Sequence, residues 1–354
     1  MKVRLPFHTS MLLVVFAILA LPGCGKKAET VATTAGPVAQ AIRWKMMSLW
    51  GAGTLPQKLN EKFAERVKLM SGGRLLIEAL PGGSIVAPTE SLDAVSSGVL
   101  DAQQAGTGYW PGKDAAFSLL GDLQGGWENP WQAQQWLEYG GGKELVRELY
   151  AKFNVHFVTG IWYGAESLVS KKPLRTLADF KGLKIRAPVG MGQDIFTILG
   201  AAPVNLPGSE VYTSLERGVV DASDWGTLSM NQDLGYHKLA KYPAYPGFHS
   251  MPMSDVAVNM KRWNTLPEDL KLIVEVAARD FSREMVELNG LEDIRVASEA
   301  AKLGVEPINL SAEERRKFRR IAQGVWKQYA ARSEMAKRVY DSQIAFMTKL
   351  GLLE

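Results

Sequence analysis

Two stretches of this chain repeat one local pattern: Ser97-Gly98-Val99-Leu100-Asp101-Ala102 and Arg217-Gly218-Val219-Val220-Asp221-Ala222. Each copy follows a Pro-Gly pair, Pro81-Gly82 or Pro207-Gly208, and a short amphipathic stretch. A helix closed by glycine and followed at once by an apolar β run is a unit of a parallel sheet. Two copies predict two similar α/β lobes, and paired lobes leave a cleft between them. Each copy runs on into aromatic residues, Tyr109-Trp110 in the first and Trp225 in the second, which the pattern places at the mouth of that cleft. Taken alone, Gly-Val-Val-Asp-Ala is also a common helix-to-strand turn, so the surrounding chain must carry the reading.

A length of 354 residues exceeds one small core and suits two lobes. Apolar content of 46% and charged content of 22% describe an ordinary globular chain. The net charge of +4 is small and its basic residues are spread over helix surfaces, which argues against a nucleic-acid partner. The single cysteine excludes disulfides and Cys-x-x-Cys metal sites. Its position is informative. Lys2 and Arg4 precede an apolar run at residues 11–21, so residues 1–23 read as a signal peptide, too short for a membrane span. Leu21-Pro22-Gly23-Cys24 resembles the bacterial lipobox, which implies cleavage before Cys24, a lipid on its thiol and a membrane-anchored periplasmic protein. Ordinary cleavage near Gly23, releasing a soluble protein, is the alternative. Residues 24–42, rich in Lys, Thr, Ala, Gly and Pro, read as a flexible tether.

Apolar spacing predicts strands at residues 43–49, 74–80 and 99–105, with helices at 55–70 and 89–97 between them. This alternation implies a parallel sheet. Residues 131–153 are mostly helical, interrupted at Gly140-Gly141-Gly142, and 156–162 read as a crossing. A second lobe follows: a helix start at Thr176-Leu177-Ala178-Asp179, strands at 183–187, 202–206 and 219–225, and helices at 192–199 and 209–217. Residues 254–259 read as a return strand. Thr265-Leu266-Pro267-Glu268 carries a capping box that opens a long helix to about residue 303, and Ser311 and Ser333 open two more. The first lobe is therefore assigned residues 43–162 with a return at 252–290. The second takes 163–251 with the C-terminal helices at 291–354. Two crossings make a multi-strand hinge that restricts motion to opening and closing.

In open α/β sheets, ligands bind outside the carboxyl ends of the strands. That selects Trp50, Tyr109 and Trp110 in the first lobe, Arg186, Asn205, Asp224 and Trp225 in the second, and Tyr163 and Glu166 past the crossing. Arg186 ends an apolar strand and needs a planar anionic partner, either a ligand carboxylate or a structural ion pair with Asp224 or Glu166. The Asn205 amide either serves a ligand or satisfies the Pro207-Gly208 turn. No catalytic constellation emerges. Of the four histidines, His8 lies in the signal peptide and His156 and His237 flank apolar segments. His249 sits near the cleft without a serine in a nucleophile-elbow context. Gly140 to Lys143 lacks a phosphate-loop pattern, and Gly190-Met191-Gly192 lacks the third glycine of a dinucleotide fingerprint.

Gly182-Leu183-Lys184-Ile185-Arg186, Gly200-Ala201-Ala202-Pro203-Val204 and Glu216-Arg217-Gly218-Val219-Val220-Asp221-Ala222 together resemble TRAP (tripartite ATP-independent periplasmic) transporter solute-binding proteins. The likeness spans about residues 44–350. Thr107 to Asp114, Gly140 to Leu145, Val204 to Gly208 and Tyr245-Pro246-Gly247-Phe248-His249 resemble the subgroup for 2-oxo and 2-hydroxy monocarboxylates. The resemblance implies a periplasmic-binding-protein-like fold. It implies a non-enzymatic protein that closes on a small carboxylate such as pyruvate or lactate and hands it to membrane permease subunits, as monomer or dimer. It implies that Arg186 holds the carboxylate, Asn205 orients it, and Tyr109, Trp225 and Phe248 surround it. Asp224, with Glu166 and Trp225, is implied to hold a sodium or calcium ion that bridges protein and ligand, although no cofactor is required. The chain departs from the subgroup at Tyr163-Gly164-Ala165-Glu166-Ser167-Leu168, where Glu166 aligns as a ligand only with a one-residue gap, and at Ser250, where an oxygen ligand is expected. Glu166 and Asp224 would alternatively receive an ammonium or hydroxyl, which shifts the ligand toward an amino- or polyhydroxy-carboxylate. An exported enzyme on small acids and a sensory lipoprotein are the rival classes.

Overall fold

The computed structural model describes residues 40–353 apart from 188, 189 and 207, and the side chain of Ser209. The signal-peptide, tether and Cys24 expectations fall outside the described residues, except for the last positions of the tether. Nine strands are found among the described residues: β1 Ile42–Ser48, β2 Leu75–Leu80, β3 Ala102–Gln104, β4 Val155–Trp162, β5 Val169–Ser170, β6 Lys184–Arg186, β7 Ala202–Val204, β8 Ala222–Ser223 and β9 Met253–Asn259. They form two sheets, ordered β2-β1-β3-β9-β4 and β5-β8-β6-β7. The expected parallel pairing holds at the centre of each: β1 runs parallel to β2 and β3, and β6 to β7 and β8. Neither sheet is wholly parallel. β9 pairs antiparallel with β3 and β4, and β5 antiparallel with β8. The reason is connectivity: β4 leads out toward the second sheet and β9 leads back, so the two must oppose.

The repeat is a repeated structure. Gly98, at φ 83°, caps helix Ser91–Ser97, and the Asp101 N–H then donates to the Lys45 carbonyl of β1 at 3.0 Å. Gly218, at φ 72°, follows helix Val211–Glu216, and the Asp221 N–H donates to the Lys184 carbonyl of β6 at 2.7 Å. Each copy thus docks a new strand beside an existing parallel one. Gly82 and Gly208 do equivalent work. A Cβ on Gly82 would fall 2.7 Å from the Leu49 carbonyl oxygen, and one on Gly208 would fall 2.3 Å from the Trp225 ring. Both glycines let backbone press against residues at the ends of β1 and β8.

Helix Leu55–Met70 buries Leu59, Phe63 and Val67, residues at helical spacing, and stacks Phe63 on Phe281 at 5.6 Å. Phe281 belongs to the long helix Glu268–Glu299, which packs on helix Leu55–Met70, on β4 and on helix Leu228–Asp233. The expected capping box does not form. Thr265 instead closes the short helix Met260–Asn264, its hydroxyl donating to the Arg262 carbonyl, and Pro267 precedes the long helix. Ser311 and Ser333 do cap helices Ala312–Ala330 and Glu334–Lys349 through their hydroxyls. Assigning the last helix to the second lobe is corrected by its contacts. Its buried face (Met335, Ala336, Val339, Gln343 and Met347) packs on helices Ala116–Gly121 and Gly142–Ala151 of the first half. Arg338 grips Glu148 in a two-bonded pair, and Ser342 accepts from the Trp136 indole. No helix among the described residues is long and apolar enough to cross a membrane.

Helix Ala116–Gly121 touches the turn Thr107–Tyr109 without a side chain between them. A Cβ on Gly121 would fall 2.3 Å from Gly108 Cα. Gly121→Ala should therefore cost about 1–3 kcal/mol by overpacking and displace the turn that carries Tyr109. Calorimetric melting checks this against Gly112→Ala, whose Cβ would meet nothing within 4 Å.

Candidate functional site

A cavity of about 160 Å³ lies at the carboxyl ends of β1 and β3 from one sheet and of β6 and β8 from the other. It is lined from both halves and suits a small ligand. Of the expected residues, Arg186, Tyr109, Trp225, Glu166 and Asp224 all border it, as do Trp50 and Tyr163. Three do not. Asn205 is exposed just beyond β7. Phe248 faces away and packs edge-on against Phe318 at 5.2 Å, lining a separate cavity. Trp110 is core, its indole donating to the Thr89 carbonyl. The next residue, His249, is fully buried against Asp224 and does not border the cavity either.

Arg186 is 7% exposed at the end of β6. Its Nε donates to the Leu206 carbonyl at 3.1 Å and its Nη1 to the Asp224 carbonyl, and its guanidinium lies 5.1 Å from the Trp225 ring centre. The structural ion pair weighed above is not formed: among the described residues no carboxylate lies within salt-bridge distance of it. Its Nη2 has no protein partner among them.

Opposite stands an acidic group. Glu166 Oε1 accepts from the Tyr163 hydroxyl at 2.9 Å and the Gly226 N–H at 3.2 Å, while Oε2 accepts from the Ser250 hydroxyl at 2.7 Å. Asp224 Oδ1 lies 2.8 Å from His249 Nε2. Atoms of Glu166, Asp224 and His249 approach within 4.8 Å of one another, all buried. Burial, then the charge of Asp224, pushes the Glu166 carboxyl well above the ordinary carboxylate range. Burial opposes ionisation of Asp224 too, yet His249, a hydrogen bond from Glu166 and the Arg186 charge hold it below that range. Repulsion within the buried pair thus favours a neutral Glu166 beside an ionised Asp224.

No motif or period marks the segment after helix Ala116–Gly121 as part of the site. Asp122 and Gln124 border the cavity from the side of the first sheet. Asp122 accepts from the Met251 N–H at 3.0 Å, and burial raises its pKa to about 6. Ser250, which does not resemble an oxygen ligand of the subgroup, proves central. Its carbonyl accepts from the Glu166 N–H at 3.0 Å and its hydroxyl serves the Glu166 side chain.

Two α/β halves meeting at a small charged cavity define a solute-binding protein. A family model described as bacterial extracellular solute-binding protein, family 7, matches residues 47–333, and the chain belongs to that family. It is 31% identical over 320 residues to a monocarboxylate 2-oxoacid-binding periplasmic protein of Nostoc sp., covering 87% of this chain and 85% of that one. A TRAP periplasmic solute-binding protein of Rhodobacter sphaeroides, solved open and without ligand, is 39% identical with a TM-score of 0.75, covering 88% of this chain and 99% of that one. One from Pseudoalteromonas atlantica, solved with bound sodium and pyruvate, is 27% identical with a TM-score of 0.79, covering 88% and 95%. The chain is thus a TRAP solute-binding protein, from a family of binding proteins rather than enzymes.

A neutral Glu166 sets a pH dependence. Glu166 stays protonated in the folded protein where the unfolded chain would ionise, so folding takes up a proton and stability falls as pH rises through the raised value. Asp122 acts in the same direction between about pH 4 and its value of about 6. Asp224, lowered, acts oppositely, losing stability as pH falls through its own value. Glu166→Gln fixes the neutral form and should flatten the decline of melting temperature with rising pH. A decline as steep as in the wild type would exclude a protonated Glu166.

Proposed function

We propose that this protein captures a small 2-oxo or 2-hydroxy monocarboxylate, of the size of pyruvate or lactate, by closure of its two halves, and releases it unaltered to membrane permease subunits. The observation that carries this reading is Arg186. Its Nε and Nη1 are anchored on backbone carbonyls, so the guanidinium is oriented by neutral groups and keeps its full charge. The Nη1–Nη2 end remains for two parallel hydrogen bonds to a carboxylate. Tyr109 and Trp225 supply flanking apolar surface for a small ligand. A ligand of about six heavy atoms has a ceiling near −9 kcal/mol, which corresponds to roughly submicromolar dissociation. Asn205 and Phe248, where they now stand, are not assigned to the ligand. Cys24 remains the proposed site of lipid attachment in the periplasm.

Arg186→Ala should leave the fold intact and weaken binding of pyruvate and lactate at least about a hundredfold by calorimetric titration. Unchanged affinity would remove Arg186 from the site. Recovery of a chemically altered acid would replace binding with catalysis.

The donor set fits a hard cation. Two buried carboxylates, Glu166 and Asp224, stand close enough that one must keep a proton, and a sodium or calcium ion in its place would relieve the same repulsion. Such an ion would supply positive charge for a second oxygen of the ligand. His249 would act behind Asp224, holding that carboxylate in place rather than reaching the ion. The protein side of the exchange is loss of the Glu166 proton. Asp224→Asn, or transfer to buffer free of sodium and calcium, should therefore weaken binding at least about tenfold. If affinity ignores both changes, the acids serve a ligand ammonium or hydroxyl instead, and the amino- or polyhydroxy-carboxylate reading takes precedence.

A further inference from the structure

Helix Ala312–Ala330 carries five cations in six positions, Arg315, Arg316, Lys317, Arg319 and Arg320, around the buried Phe318. Like charges three and four residues apart repel along a helix face. Elsewhere the chain relieves this with interleaved acids. Arg283 pairs with Asp280 and Glu287, Arg295 with Glu292 and Glu299, and in this same helix Lys317 with Glu313 and Glu314. The four arginines have no such relief. With Ala312 and Gln323 they form one helix face, and that face lines a cavity of about 640 Å³. Among the described residues only one acid borders it, Glu128, 3.3 Å from Arg319. No carboxylate among them lies within salt-bridge distance of Arg315, Arg316 or Arg320.

Arg315 is held as Arg186 is, by neutral groups. Its Nε donates to the Leu310 carbonyl at 3.0 Å, and its Nη2 donates to the Pro246 carbonyl at 3.1 Å and the Asn309 side-chain oxygen at 2.7 Å. Burial lowers its pKa, and only Glu128 works against that. The guanidinium thus gives up water without gaining an adjacent counter-charge. Arg319 likewise rests on the Gly125 and Leu352 carbonyls, at 2.7 and 2.9 Å. We propose that this cavity binds an oxyanion bearing at least two charges, a polyphosphate or a polycarboxylate. Arg315 and Arg319, half-buried and oriented by carbonyls, form its floor. Arg316 and Arg320, exposed on the same face, close over the anion. The two arginine pairs stand one helical turn apart, about 6 Å, which suits two charged groups on one molecule, each able to take parallel N–H···O bonds. The site is distinct from the carboxylate cavity, with Ser250 alone bordering both.

The test is calorimetric titration of the mature protein with pyrophosphate and with citrate, at fixed ionic strength and without divalent cations. Wild type should give saturable binding of at least one of them. The double variant Arg316→Gln/Arg320→Gln changes two exposed side chains and should fold. It should weaken that binding at least about tenfold while leaving pyruvate affinity within about twofold. Arg186→Ala should lose pyruvate and keep the polyanion, which separates this site from the carboxylate reading. Absence of saturable binding, an unchanged affinity in the double variant, or loss of the polyanion in Arg186→Ala overturns the proposal. Glu354 follows the described residues by one position, and Leu352 borders the cavity. A gain of about tenfold or more in Glu354→Gln would make the chain's own acid the occupant and overturn the proposal as well.

Discussion

A buried guanidinium held by neutral partners at the wall of the cavity is the constraint on which this site depends. Burying an ion costs several kcal/mol even after relaxation, and carbonyl dipoles with a flanking indole recover part of that. Had Arg186 been paired with Asp224 or Glu166, its charge would be spent inside the protein. Instead the Asp224 backbone carbonyl, not its carboxylate, meets Nη1. The carboxylate turns to His249, on the other side. One residue thus orients the arginine through its main chain and serves the acidic group through its side chain, keeping the two charges apart within a few ångströms.

That separation explains why Glu166 and Asp224 titrate in opposite directions. They share one environment, but only Asp224 has His249 beside it and the Arg186 charge acting on it. Glu166 is surrounded by hydroxyls and a backbone N–H, which accommodate a neutral carboxyl as well as an ion. The segment around Ser250 ties this chemistry to both halves. The His249 carbonyl accepts from the Gly125 N–H at 2.8 Å, Met251 donates to Asp122, and the Ser250 carbonyl receives the Glu166 N–H. A movement of either half is therefore transmitted to the acids through a single stretch of backbone.

Much of this architecture was legible in the residues. The repeated Gly-Val-Leu/Val-Asp-Ala pattern marked both helix-to-strand junctions, and the strand ends it implied led to Arg186, Asp224, Tyr109 and Trp225. What was not legible has physical reasons. Phe248 lies in an irregular segment, where spacing does not say whether a side chain turns to the cleft or to the C-terminal helices. The apolar stripe of helix Glu334–Lys349 states that one face is buried but not against what, so its docking on the first half was missed. Thr265 had the composition of a cap for the helix after it, yet the short helix before it claimed the hydroxyl. Asp122 and Gln124 sit in an irregular turn, where no period marks which side chains point inward.

The two halves repeat a fold without repeating a chemistry. The second contributes the charges, Arg186, Asp224 and Glu166, each locked by several hydrogen bonds. The first contributes Trp50 and Tyr109 and, beyond helix Ala116–Gly121, Asp122 and Gln124. Rigid charges on one side suit the group every small acid shares, its carboxylate. The first half meets them at close range, with Gln124 lying against the bare Gly192 of the second, so a ligand held by the arginine is enclosed from both sides of one cleft.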